Sequence, residues 1–197
     1  MIRVGIEGEV AESFIRQMCR RYRDEGYSVY VFCGSGSVSD ISHSMEEAEK
    51  LGRDVFIAMA DSRGIIRFDI MIFNNIEAEK TVSKINNIKP DGYAIINADD
   101  CTVFPYILPD NINVITCGVN SRAAVTFSAI NEYRNGKETI QCCVQKAIKT
   151  ISGKYIEPQE FGVNVMGNYP LSEVLIIITA AIAADMAESV AEGLLFS

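Results

Sequence analysis

Several kinds of chemistry lack the residues they need in this chain. It has a single histidine, His43, with no ligand or triad partner near it in sequence, so a histidine-based triad or a histidine-rich metal site has no support. None of the six cysteines (Cys19, Cys33, Cys101, Cys117, Cys142, Cys143) belongs to a CxxC pair or a Cys/His cluster. Most lie in apolar runs, which suits reduced, buried thiols rather than disulfides or zinc ligands. Basic residues are scarce as well: 18 Lys and Arg stand against 26 Asp and Glu, for a formal charge of −8. No stretch is basic enough to follow a nucleic-acid backbone, and nucleic acid is not an expected partner. The densest basic run, Arg16, Arg20, Arg21 and Arg23, falls at helical spacing and reads as a solvated helix face, with an anionic surface as the alternative contact.

Signals for export or membrane insertion are missing too. The N-terminus opens on the strand-like "IRVGI", with neither a charged n-region nor an apolar h-region. The most apolar segment, within "VLIIITAAIAADMA", is bounded by Glu173 and Asp185 and falls short of the roughly 20 residues that span a bilayer. A buried core helix is expected there, in a cytoplasmic protein without a membrane partner.

What the chain does have is 197 residues, 48% of them hydrophobic, enough for one well-packed core. Short apolar runs alternate with segments of helical period, the pattern of a mostly parallel sheet covered by helices. Strands are expected at 2–6, 28–32, 55–60, 69–73, 93–96 and 113–116, and helices at 10–24, 44–51 and 78–88. After Gly118 the pattern turns β-rich: "AAVTFSAINEY", "ETIQCCVQKAI" and "EFGVNVM" read as strands, the first two joined by "RNGK", where Asn135-Gly136 favours a tight hairpin turn. A closing helix is expected at 171–187. The expected fold class is α/β, with an α/β core over 1–118, a β-rich excursion over 119–168 and a closing portion over 169–197, all in one domain.

Ligands of doubly wound folds bind beyond the carboxyl ends of the strands. The loops there read "EGEVAES", "CGSGS", "ADSRG", "NNIEAEK", "NADD" and "CGVNSRA". In this order they resemble the central, ATP-binding domain of the Mur ligase family, whose members join amino acids to cell-wall precursors or glutamates to folate. "VGIEGEVAESF" is similar to that family's phosphate loop, "FDIMIFNNIEAEK" and "GYAIINADD" to its next two strand-ending segments, and "LSEVLIIITAAIAADMA" to its closing helix. "ITCGVNSRAAVTFSAI" and "IEPQEF" resemble a group of short Firmicute Mur-ligase-like proteins of unsettled activity. The resemblance implies a P-loop NTPase-like fold, and it implies that the family's N- and C-terminal ligase domains are not in this chain.

The departures from the pattern bear on function. A phosphate loop works because backbone N–H groups and a helix N-terminus hold oxygens while a lysine neutralises the β- and γ-phosphates. By the resemblance, Gly5, Gly8 and Ser13 keep their places, but Ala11 replaces the last glycine and Glu12 replaces the lysine, with Glu9 adding a further charge. Lys137 and Lys154 each follow a glycine but lack the strand-to-helix context. The family's aspartate-histidine pair corresponds to Glu79 and Lys80; Glu79 with Asp61 has the donors for a hard cation such as magnesium, or else the two are a solvated loop acid and a helix-start acid. Asn97, Asp99 and Asp100 are the best-kept set, read either as a nucleotide-side loop or as ordinary strand-end turn chemistry. "GNYP", Gly167 to Pro170, replaces the family's histidine and asparagine. The expectation is a free-standing central-domain relative with a degenerate phosphate loop, no catalytic residues and no cofactor, which binds an unknown protein partner, a small ligand or a second copy of itself. The alternative is an ATP- and magnesium-dependent carbon–nitrogen ligase, or a nucleotide-binding subunit, completed by a partner chain.

Overall fold

The computed structural model describes residues 1–8, 12–33, 37–59, 66–74, 84–99, 109–133, 137–166, 170–186 and 194–196. The chain divides into two compact units, one made of residues 1–96 and 100–114, the other of residues 97–99 and 115–197.

In the first unit, β1 (Ile2–Gly8), β2 (Val29–Phe32), β3 (Val55–Met59), β4 (Phe68–Asn74) and β5 (Ile88–Asn97) lie in the order β5-β4-β1-β3-β2. Every adjacent pair is parallel. Parallel strands buried on both faces need apolar residues at every position rather than at alternate ones, and "VFIAM" and "IMIF" supply them. Helix α1 (Glu12–Asp24) follows β1 and buries Phe14, Ile15, Met18, Cys19 and Tyr22, an i, i+1, i+4, i+5, i+8 stripe. Arg21 joins the buried side, where it forms an ion pair with Glu25. Arg16, Arg20 and Arg23 stay exposed, so the basic run divides between two faces. Helix α2 (Val38–Lys50) sets Ile41 and Ala48 against Phe56 and Ala58 of β3 and Phe68, Met71 and Phe73 of β4.

Two boundaries differ from expectation. Helix α2 starts six residues earlier, at Val38 rather than Ser44, because Ser37 and Asp40 form a capping box: the Ser37 hydroxyl accepts from the Asp40 N–H, and the Asp40 carboxylate accepts from the Ser37 N–H. Strand β5 starts at Ile88 because Lys89 to Gly92 form an irregularity against β4, with Asp91 at a φ of 61°. The expected helix at 78–88 lies outside the described residues except for its last turn.

In the second unit, the last three residues of β6 (Asn113–Cys117) and strands β7 (Val125–Tyr133), β8 (Lys137–Val144), β11 (Gln159–Met166) and β12 (Leu194–Phe196) lie in the order β12-β11-β8-β7-β6. β7, β8 and β11 pair antiparallel, which is the β-rich portion expected after Gly118. Tyr133 pairs with Lys137 across the expected hairpin, whose turn residues 134–136 are outside the described set. A two-stranded ribbon of β9 (Ile148–Lys149) and β10 (Tyr155–Ile156), not expected from the sequence, turns at Gly153, whose φ is 87°. Helix α3 (Leu171–Ala183) is buried continuously from Val174 to Ala183, a core helix as expected. Among the described residues, no helix is long and apolar enough to cross a membrane.

Candidate functional site

Strand β1 ends at Gly8 and helix α1 begins at Glu12, so residues 9–11, which include Glu9 and Ala11, form the connection and lie outside the described residues. The two retained glycines have packing reasons of their own. Gly8 has a φ of 104° and pairs with Asn74, and a Cβ on it would fall on the Asn74 carbonyl oxygen. A Cβ on Gly5 would fall on the Met71 sulfur and 2.9 Å from the Phe68 ring. Both positions are glycine because β4 crowds β1, whatever the loop holds.

Glu12 is the first residue of α1, and its carboxylate accepts from the Arg16 guanidinium at 2.9 Å, one turn on. A carboxylate in the first turn suits the helix dipole, so the local structure gains from Glu12 at this position. Ser13 is exposed beside it. A bound phosphate would meet Glu12 as a like charge, at a cost of about 1 to 4 kcal/mol per pair at 4 Å, depending on the local dielectric. The exposed Cys33, after β2, feels the same charge: partial burial and then Glu12 raise its thiol above the ordinary range.

Sequence reasoning missed a buried ion pair at this end of β1. Glu7 precedes Gly8, and its Oε2 lies 3.2 Å from Lys84 Nζ, with only 10% and 9% of the two side chains exposed. Asn74, at the end of β4, is buried as well. The available signal was a lone glutamate in the otherwise apolar "VGIEG": a buried carboxylate needs a cationic partner.

In the second unit, the "NAD" segment is tied down by its own turn. The Asn97 Oδ1 accepts from the Asp99 N–H at 3.1 Å, and the Ala98 N–H donates to the Cys117 carbonyl at 2.7 Å. The Asp99 carboxylate then accepts two backbone N–H groups, from Val119 at 2.7 Å on Oδ2 and from Asn120 at 2.8 Å on Oδ1. Gly118 is glycine because a Cβ there would sit 2.8 Å from Asp99 Oδ2. The Asn120 Oδ1 accepts from the Arg122 N–H at 3.0 Å and extends the turn. Beneath it, burial pushes the Cys117 thiol up to about 12, opposed by a hydrogen bond from Thr179 on α3. Asn97 and Asp99 therefore have a structural role in clamping the turn after β6.

Asp61, Glu79, Lys80, Asp100 and Gly167 to Tyr169 lie outside the described residues. Among the described residues, no group of three or more His, Cys, Asp or Glu side chains gathers to hold a metal ion. No described lysine stands at the start of α1, so the residues there do not fit a triphosphate held in the manner of a lysine-bearing loop.

No protein-family model matches the sequence, and no curated protein sequence matches it. Solved structures do match. The MurF ligase of Thermotoga maritima in complex with ADP aligns over 94% of this chain at 12% identity and a TM-score of 0.63. A UDP-N-acetylmuramoyl-L-alanyl-D-glutamate–2,6-diaminopimelate ligase aligns over 100% of the chain at 14% identity and a TM-score of 0.66. An FPGS–AMPPCP–folate complex aligns over 100% at 9% identity and a TM-score of 0.58. The fold is that of the Mur-type ligases. The chain spans 45%, 47% and 60% of those three proteins, so the Mur-type fold occupies only part of each of them. In this Mur-type framework the β1–α1 turn carries Glu7, Gly8 and Glu12, and the strand-end turn of the second unit carries Asn97 and Asp99.

Proposed function

We propose that this chain is a Mur-ligase-like binding or regulatory domain, cytoplasmic, which engages a protein partner or a small ligand and does not turn over ATP. The observation that carries this reading is the charge at the start of α1. Glu12 opens the helix where a phosphate-binding loop places its lysine, and Arg16, the nearest guanidinium on the helix, is engaged with it. Asp99 adds support, because each of its two carboxylate oxygens already holds a backbone N–H group of the turn after β6, which gives the residue a structural reason of its own.

Thermal melting with ATP or ADP and magnesium tests the proposal. A ligand at 100 times its dissociation constant stabilises by about 2.7 kcal/mol, which in a chain of this size moves the melting temperature by roughly 5 to 10 °C. The expected result is no shift for the wild type and none for Glu12→Lys, because Ala11 and Glu9 also depart from a working loop. A shift of that size in the wild type would instead favour the second reading, an ATP- and magnesium-dependent ligase or nucleotide-binding subunit completed by another chain. That reading is favoured by the nucleotides held by two of the structural neighbours, ADP in one and AMPPCP in the other.

A further inference from the structure

The turn after β6 is braced at each residue from Val119 to Arg122. The Asp99 carboxylate holds the Val119 and Asn120 N–H groups, the Asn120 side chain holds the Arg122 N–H, and Gln145 Nε2 donates to the Ser121 carbonyl at 2.9 Å. The Gln145 N–H donates in turn to the Ala124 carbonyl at 2.8 Å, so the backbone that carries Arg122 lies beside the backbone that carries Lys146. Lys149 follows on β9, directly opposite Tyr155 of β10. Arg122, Lys146 and Lys149 are all exposed, and among the described residues no ion pair holds any of them. Two apolar side chains accompany them: Val119 is 50% exposed, and Tyr155, at 62%, is the most exposed large apolar side chain among the described residues.

Residues 111–131 and 139–156, which carry these three cations and Lys154, contain no Asp or Glu, although the whole chain has a formal charge of −8. We propose that this strip, Arg122, Lys146 and Lys149 with Val119 and Tyr155, is the docking surface for a short acidic segment of a protein partner. The three cations meet its carboxylates, and the two apolar side chains cover an apolar residue among them. A braced turn is preorganised, so little loop entropy is lost on binding. Charges are largely screened beyond about 8 Å at physiological salt. A short segment on the strip therefore meets its cations and little of the chain's excess negative charge, whereas an anionic membrane extends past the strip and faces that excess as well. Three cations are also few for following a nucleic-acid backbone. The inference deepens the reading above by naming the partner's chemistry, and it rests on that reading for treating the chain as a binding domain.

The probe is a short fluorescein-labelled peptide of Glu around one central Leu, compared by anisotropy in the full chain with the same peptide carrying Gln in place of Glu. Three exposed ion pairs, each a factor of about two to three, give the Glu peptide about tenfold tighter binding at low salt, an advantage that fades as salt rises. Arg122→Gln/Lys146→Gln/Lys149→Gln is expected to abolish the preference, and Tyr155→Ala to weaken both peptides alike. Lys50→Gln, which removes an exposed lysine of α2 in the first unit, is expected to leave the preference intact. If the triple variant does not melt with the wild type, Lys146→Gln and Lys149→Gln alone carry the test, each lowering the preference about two- to threefold. No preference for the Glu peptide, a preference that survives these variants, or an equal loss in Lys50→Gln would each overturn the inference. Vesicles of phosphatidylglycerol and phosphatidylcholine that bind the wild type and displace the peptide would assign the strip to a membrane surface and overturn it too. The response to ATP is a separate measurement, so the absence of nucleotide turnover and this docking surface can fail independently.

Discussion

Asp99→Asn asks whether the best-kept polar loop is a clamp or a ligand site. The Asp99 carboxylate holds the N–H groups of Val119 and Asn120 on opposite oxygens, at 2.7 and 2.8 Å. A hydrogen bond to a charged group contributes about 1.5–3 kcal/mol when shielded from water, and Asp99 is exposed, so the pair together contributes roughly 2 kcal/mol. The asparagine amide keeps one acceptor and turns an NH₂ group towards the other N–H. The expected loss is about 1–2 kcal/mol, or roughly 2–8 °C in melting temperature for a chain of this size. Gly118 supplies a second arm. In wild type, Gly118→Ala forces a Cβ to within 2.8 Å of Asp99 Oδ2, whereas in an Asp99→Ala background that obstacle is gone. The double-mutant cycle from urea denaturation should therefore show a coupling of about 1 kcal/mol, with Gly118→Ala costing less once Asp99 is alanine. If Asp99→Asn melts with the wild type and the cycle is additive, the clamp is unimportant to stability and the reasoning fails.

Gly8→Ala should destabilise by about 3 kcal/mol or more, measured by denaturant midpoint, because it combines a positive φ with a Cβ directed at the Asn74 backbone; a cost below about 1 kcal/mol would mean that β4 yields there. Asp54 accepts from the Ser28 hydroxyl at 2.6 Å and from the Ser28 N–H at 2.8 Å, and these bonds hold its carboxyl below the ordinary 3.8. A lowered folded value means that the contribution is complete above about pH 4 and is lost as pH falls through that value. Ser28→Ala should accordingly flatten this part of the melting profile between roughly pH 5 and pH 3. Glu173, in the first turn of α3, goes the other way, because burial raises its carboxyl above the ordinary 4.5. Its ionised form opposes folding at neutral pH and the penalty disappears below 4.5, so Glu173→Gln should raise the melting temperature at pH 7 and leave it unchanged near pH 4.

The sheet was legible because its strands are apolar at nearly every position and each is bounded by glycine or polar residues. "VFIAM" and "FDIMIF" need no partner information to be read as buried strands. The early start of α2 was hidden because "VSDISH" has weak apolar periodicity, although the Ser37–Asp40 spacing carried the cap signal. The β5 start was hidden by "KPDG", where Pro90 and Gly92 read as a loop and instead form an irregularity within the strand. The β9–β10 ribbon is too short for periodicity to reveal.

The site was legible only as far as its residues act alone. Asn97 and Asp99 announce a strand-end turn by their types, but the groups they hold belong to backbone about 20 residues further on, and a backbone N–H leaves no mark in a sequence. Glu12 was readable because its position within a loop pattern has a defined charge requirement. Glu7 was not, because its meaning depends on Lys84, 77 positions away, and only folding brings the two together. That difference bears on how the turn is understood. A single reversed charge at Glu12 describes a loop that has lost a lysine, and restoring the lysine would then repair it. Glu7, immediately before the Gly8 that ends β1, is a buried carboxylate paired with Lys84. A change at Glu12 therefore leaves a second, buried carboxylate in place near the end of β1.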